Sequence, residues 1–280
     1  MISFTYGFKP YYRRSSLNRS PEKTLSMTKN DASPLRPDDT LTALALLSRL
    51  PVPATDPERG ANAAWAYPLV GLILGGMAGL AGLIFWSLGL PAPLTALISL
   101  ATLIILTGAM HEDGLADSAD GLWGGWDAEN RLKIMRDSRV GSYGVIALGL
   151  SLMARWAALS LLFETGPGTA IAALLASGAI SRAAMPALMA TLPHARNTGL
   201  SHSVGEVPMQ SAYFAAGIAA LAAFIFVGWS FIPALICAAL ITCATRAIAD
   251  AKIGGQTGDI LGATQQLTEI AVLFLLVAWL

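Results

Sequence analysis

The sequence predicts an all-α fold, a polytopic bundle of helices embedded in a membrane. Three observations carry that prediction. Apolar residues make up 54% of the chain and charged residues only 13%, with a mean hydropathy of +0.57, whereas a soluble domain carries about 25% charge. The apolar residues run on in long blocks instead of alternating, which is the pattern of bilayer spans. Lys plus Arg and Asp plus Glu each number 18, so placement of charge matters more than its sum. No nucleic-acid partner is expected.

Residues 1–37 read as a disordered basic N-terminal tail. They are polar, broken by Pro and Ser, and carry Arg13, Arg14, Arg19, Lys23, Lys29 and Arg36 without the apolar core of a signal peptide. Residues 38–280 read as one membrane-embedded domain. Its first segment, Asp38 to Leu50, has Asp39 or Thr40 as N-cap and is too short for a hydrocarbon core of roughly 30 Å. An interfacial or re-entrant helix fits it. The expected spans then follow as Ala66 to Leu88, Leu94 to Met110, Ser142 to Phe163, Thr169 to Leu192, Ala212 to Gly228, Pro233 to Asp250 and Leu261 to Leu280, about seven in all. Gly- and Pro-bearing turns join them into hairpins. Cys237 and Cys243 share one apolar run and read as small buried residues, not as a disulfide or metal pair.

Orientation follows from the loops. The turns after the first, third and fifth spans lack Lys and Arg, whereas the opposite loops carry Arg59; Arg131, Lys133, Arg136 and Arg139; Arg196; and Lys252. The positive-inside rule places these basic loops, and with them the active site, in the cytoplasm.

The conspicuous polar motifs fall on that side. In the stretch His111 to Gly121, Asp113, Asp117 and Asp120 stand at i, i+4 and i+7 and share a helical face. Carboxylates so placed repel one another unless a cation sits among them, and they suit a hard divalent ion such as Mg2+ shared with substrate phosphate. The plain alternative is a solvated acidic helix end. The interleaved Leu115, Ala116 and Ala119, continuing an apolar span, argue against it. The same loop then supplies Lys133, Arg136, Asp137 and Arg139, whose bases match phosphate oxygens, although they could also serve only to fix topology. Acids for metal followed by bases for phosphate are what phosphoryl transfer requires. Gly254 to Gln266, with Thr257 and Asp259, suggests backbone brought close to a ligand, and Pro193 to His202 is a further candidate substrate loop. Arg155, Arg182 and Arg246 interrupt apolar spans, where each needs a partner or a wet cavity. Arg246 can pair with Asp250 one turn on, while Arg155 and Arg182 are expected to line the substrate cavity.

With these residues in view, the chain resembles the cobalamin synthase family (adenosylcobinamide-GDP ribazoletransferase). The stretches that carry the resemblance are Asp113-Gly-Leu-Ala-Asp-Ser-Ala-Asp-Gly121, Ile134-Met-Arg-Asp-Ser-Arg-Val-Gly141, Gly254-Gly-Gln-Thr-Gly-Asp-Ile-Leu-Gly-Ala263 and the entry segment Ser48-Arg-Leu-Pro-Val-Pro53. The resemblance implies a magnesium-dependent enzyme of the bacterial inner membrane. Its reaction joins α-ribazole, or its 5′-phosphate, to adenosylcobinamide-GDP, releasing GMP and forming adenosylcobalamin or its 5′-phosphate. Under that reading Asp113 and Asp117 hold metal, Asp120 is ligand or general base, and Glu112 is a weaker ligand. Asp117, Asp120 and His111 are the candidate catalytic groups. Lys133, Arg136 and Arg139 hold pyrophosphate with Asp137 orienting them, and Asp259 adds a metal or nucleotide contact. The expected partners are the two small substrates and membrane lipid, with a homo-oligomer left open. CDP-alcohol phosphotransferases are the nearest alternative enzyme class. A transporter is the alternative outside enzymes, disfavoured because the acids cluster at one face.

Overall fold

The structure, a computed structural model, describes residues 35–53 and 59–279. The expected tail over residues 1–37 therefore falls almost wholly outside the described residues. The order of elements is α1 (Asp39–Leu47), a 3-10 turn (Asn62–Ala66), α2 (Tyr67–Ser87), α3 (Ala92–Thr107), α4 (Met110–Gly124), α5 (Ala128–Ile134), α6 (Ser142–Thr165), α7 (Pro167–Met189), α8 (Leu200–Val204), α9 (Met209–Val227), α10 (Phe231–Ile253) and α11 (Gly258–Trp279). Among the described residues the only strand-like pairing is an isolated bridge between His194 and Gln256. This is an all-α, multi-pass membrane bundle.

Each expected span is present as a helix. Five stretches are long and apolar enough to cross a membrane, or six if the bent pair α3–α4 counts as one. One of those stretches, Met209–Ile253, contains both α9 and α10. Gly228, at φ +57°, separates the two helices, and both border one apolar cleft against α7, so the chain doubles back there. The center of the bundle is α7, buried over 78% of its apolar stretch, followed by α11 at 67%, while α2 and α6 reach only 39% and 33%. Exposed Leu80, Ile84, Ile146, Leu150, Leu221, Ile225 and Leu240 cover the outer helices, as expected where the solvent is lipid.

Lipid gives apolar helices little reason to associate, so close backbone packing has to hold them together. Gly71, Gly75 and Gly79 line one face of α2 at four-residue intervals. A Cβ on Gly71 would strike the Gly178 carbonyl of α7, and one on Gly75 would lie 2.6 Å from the Leu174 carbonyl oxygen. The two helices therefore touch backbone to backbone.

The acidic motif follows the preceding span directly, but across a sharp break. Gly108 (φ +65°) and Ala109 (φ +57°) are both left-handed, and α4 leaves α3 at a bend of 85°. Left-handed backbone is routine for glycine and costs alanine roughly 1 kcal/mol or more. Taken together, α3 and α4 are apolar enough to form one span broken at this bend, or a re-entrant pair, and α4 carries Glu112, Asp113, Asp117 and Asp120.

Three smaller expectations are also corrected. Asp39 is not an N-cap; its buried carboxylate accepts from Arg59 Nε (2.7 Å) and Nη2 (2.8 Å) and from Trp65 Nε1 (2.8 Å), fixing α1 to the turn before α2. Arg246 donates to the Thr191 carbonyl at 3.4 Å instead of pairing with Asp250. Cys237 and Cys243, expected to be buried, are half-buried and exposed, and Cys243 borders the cleft between α7, α9 and α10.

Candidate active site

The site is made where α4 crosses α11. A Cβ on Gly114 would lie 2.9 Å from the Asp259 carbonyl oxygen and 3.2 Å from Gly262 Cα, and a Cβ on Gly262 would lie 3.2 Å from the His111 carbonyl oxygen. Gly114 has no room for a side chain here and Gly262 has little, and this approach brings Asp113 near Asp259.

The Pro193 to Ser201 loop is fixed beside them. Ala195 N donates to the Gln256 carbonyl at 2.9 Å, and Gln256 N to that of Pro193 at 2.8 Å. Gln256 Nε2 lies 2.9 Å from His194 Nδ1, and Ser201 Oγ donates to Gln256 Oε1 at 2.5 Å. Thus anchored, the loop sets Arg196 Nη2 3.0 Å from Asp259 Oδ2, an oxygen that also accepts from Thr257 Oγ1 at 3.2 Å.

A cavity of about 210 Å³ opens at this point. Asp113, Asp259, Arg196 and His111 form its polar side, and Leu47, Met110, Met185 and Met189 are among its apolar walls. Asp113 is exposed, Asp117 half-buried and Asp120 buried. Asp117 stands one helical turn from Asp113 on α4. Among the described residues no three His, Cys, Asp or Glu side chains converge tightly enough to hold a metal ion by themselves. Magnesium usually takes only one or two carboxylates and completes its shell with water and phosphate oxygens. Mutually repelling carboxylates facing an open cavity fit that incomplete donor set.

Asp120 is engaged elsewhere. Its carboxylate accepts from Gly141 N at 2.6 Å and Gly144 N at 2.9 Å, so it satisfies the amino end of α6 and faces the positive end of that helix dipole. The expected role as ligand or general base gives way to this cap.

A buried network of charges lies next to the site. Arg155 pairs with Glu112 at 3.0 Å and Glu269 at 3.6 Å, and Arg182 lies 3.9 Å from Glu269. Gln265 Nε2 donates to Glu269 Oε2 at 2.6 Å and Gln266 Nε2 to Glu112 Oε1 at 3.2 Å. Arg155 and Arg182 are each 1% exposed and are not among the cavity walls. The expectation that they line a substrate cavity is thus corrected: two Arg and two Glu answer one another inside the bundle. Glu112 likewise belongs to this network and not to the acidic face of the cavity.

The basic loop divides into two sets. Arg131 donates to the Gly125 carbonyl at 3.0 Å and the Lys252 carbonyl at 2.9 Å, while Lys252 Nζ donates to the Leu122 carbonyl at 2.7 Å. These two residues tie α4, α5 and α10 together. Lys133, Arg136 and Arg139 are exposed and do not border the cavity. Arg139 Nη2 lies 2.6 Å from Asp137 Oδ2 and keeps that carboxyl below its ordinary range. In the Gly254 to Gln266 stretch, Gly255 gives room to Pro193 and Ala195 and Gly262 to α4, while Gly258 and Gly262 border the cavity.

A family model described as cobalamin-5-phosphate synthase matches residues 39–277. The chain belongs to that family. It is 42% identical over 238 residues to a Mesorhizobium japonicum protein named adenosylcobinamide-GDP ribazoletransferase, covering 84% of this chain and 91% of that one. Proteins of the same name from Azorhizobium caulinodans and Brucella ovis are 43% and 40% identical, covering 82% and 85% of this chain and 92% and 96% of theirs. No solved structure matches.

The family match contains every residue of the site and begins at residue 39. Of the residues expected to act, the structure brings Asp113, Asp259 and His111 to one cavity with Asp117 close by. It sends Asp120, Glu112, Arg155 and Arg182 to supporting positions and leaves Lys133, Arg136, Asp137 and Arg139 on the loop outside. Sequence reasoning missed Glu269. The available signal was that it is the sole charged residue between Leu261 and Leu280, and a lone charge in a span requires a partner.

Proposed function

We propose that this chain transfers α-ribazole, or its 5′-phosphate, onto adenosylcobinamide-GDP, releasing GMP and forming adenosylcobalamin or its 5′-phosphate. The observation that carries this is the convergence of Asp113, Asp259 and Arg196 at one cavity, with Asp117 one helical turn from Asp113, inside the family's matched region. A ribose hydroxyl of the acceptor attacks the phosphorus that stays with cobinamide, and the bond to the GMP oxygen breaks. The proton of that hydroxyl passes to a carboxylate of the acidic group. Asp113, Asp117 and Asp259 would hold Mg2+. Bound there, the ion supplies neutralisation of charge building on the phosphoryl oxygens. Arg196, already tied to Asp259, presents its remaining guanidinium donors on the same side. Lys133, Arg136 and Arg139 attract the pyrophosphate from the exposed loop.

All the basic residues invoked lie on loops at one end of the spans, so the reading includes a cytoplasm-facing site in the bacterial inner membrane. The test is incubation of the purified protein in lipid with adenosylcobinamide-GDP, α-ribazole and Mg2+. GMP should appear in equal amount with the corrinoid product, and chelation should stop both. No GMP from either acceptor would overturn the reading.

A further inference from the structure

The cavity is much smaller than the corrinoid substrate. At about 210 Å³ it falls below the roughly 300–1,000 Å³ of sites that enclose whole drug-sized ligands, and a corrin macrocycle cannot enter it. Its walls are of two kinds. Toward the acids stand Asp113, Asp259 and Arg196; away from them are Leu47, Tyr67, Met110, Met185, Met189 and Leu261. Leu47 and Tyr67 are 1% exposed, and Met185 and Met189 are 5% exposed, so this wall is buried and, apart from the Tyr67 hydroxyl, apolar. His111, 1% exposed, borders the same space, and its Nε2 has no hydrogen-bond partner.

We propose that this cavity seats the heteroaromatic base of the acceptor nucleoside and that Met185 and Met189 decide which bases are accepted. The inference rests on the transferase reading above. Ribazole's base is a benzimidazole with two methyl groups: flat, mostly apolar, and bearing one unsubstituted ring nitrogen. An apolar wall suits its methylated edge. At this wall the His111 imidazole and the Tyr67 hydroxyl are the groups able to hydrogen-bond the ring nitrogen. The ribose then falls on the polar side, where its hydroxyl meets Asp113 and Asp259.

The methionines add a specific consequence. Unbranched thioether chains adjust to irregular shapes and make favourable contacts with aromatic rings. Met110, Met185 and Met189, from two helices, border this one small cavity. Such a wall measures base size by how far it must yield. One methylene more or less in an apolar pocket is worth about 10- to 200-fold in discrimination.

The experiment uses the full-length protein in lipid and a series of base ribosides: benzimidazole, dimethylbenzimidazole and a three-ring naphthimidazole. Met189→Phe should raise KM for the dimethylbenzimidazole riboside at least tenfold, raise that for unmethylated benzimidazole less, and leave KM for adenosylcobinamide-GDP unchanged. Met185→Ala and Met189→Ala should each shift relative kcat/KM at least fivefold toward the three-ring riboside, which also keeps the idea testable if the Phe variant fails to insert. Equal loss with all three ribosides, or an effect confined to KM for adenosylcobinamide-GDP, would overturn the assignment of the cavity to the base. Absence of GMP release by the unaltered protein would instead overturn the transferase reading itself.

Discussion

Gly114 of α4 and Gly262 of α11 meet backbone against backbone, and this contact sets the distance between Asp113 and the Asp259 turn. The Cβ of Gly262→Ala would lie 3.2 Å from the His111 carbonyl oxygen and 3.3 Å from Gly114 Cα. Those are backbone atoms of a helix, which cannot swing aside. GMP release should fall tenfold or more for Gly262→Ala and be lost for Gly262→Val. Full activity in the alanine variant would refute the crossing as the element that assembles the site.

Asp113→Asn and Asp117→Asn keep size and remove charge. Each should reduce turnover by two or more orders of magnitude and raise the Mg2+ concentration needed for half-maximal rate. A normal metal dependence with normal turnover in both variants would exclude these carboxylates as the metal-holding pair.

The α2–α7 contact predicts unequal effects from neighbouring glycines. Gly71→Ala drives a methyl into the Gly178 carbonyl, whereas the Cβ of Gly76→Ala would lie 3.5 Å from the Leu175 side chain, an ordinary contact. Overpacking of this kind costs about 1–3 kcal/mol. Thermal unfolding in detergent should drop clearly for Gly71→Ala and little for Gly76→Ala.

The buried network predicts that removing one charge is worse than removing a pair. Glu269→Gln leaves Arg155 and Arg182 with only Glu112, and breaking a buried ion pair from one side costs about 3–5 kcal/mol. Combining Glu269→Gln with Arg182→Met restores the balance. The double variant should melt higher than Glu269→Gln alone; additive destabilisation would show that the two side chains are not coupled.

Topology is open to chemical labelling. With Cys237 and Cys243 replaced, cysteines introduced at Asn130 and Asn197 should be missed by an impermeant thiol reagent in intact cells and labelled once the membrane is opened. One at Ser230 should react from outside. Labelling of Asn130→Cys from outside with Asn197→Cys protected would put the basic loop and the Arg196 loop on opposite faces.

The sequence made the helices legible because each is a separate apolar run with Gly or Pro near its ends. It made Asp113, Asp117 and Asp259 visible because acids beside apolar spans are costly and therefore conspicuous. It hid what depends on distant partners. Glu269 answers Arg155, 114 positions earlier, and no local spacing reveals such a pair. The glycines around Asp259 suggested a ligand because a glycine marks close approach without saying to what. The bend before α4 was equally hidden: Gly108 permits a left-handed residue, but Ala109 has no intrinsic preference for one, so tertiary packing imposes it.

Asp120 changes how a mutational survey of the acidic motif would be interpreted. An Asp120→Asn enzyme loses the charge that faces the amino end of α6, so the loop would lose its anchor at the Gly141 end and activity would suffer with no metal ligand removed. A tally of inactive variants would therefore count one ligand too many. What separates the cases is the response to added Mg2+: excess metal should partly rescue a weakened ligand, but it has nothing to offer a helix that has come loose from its cap.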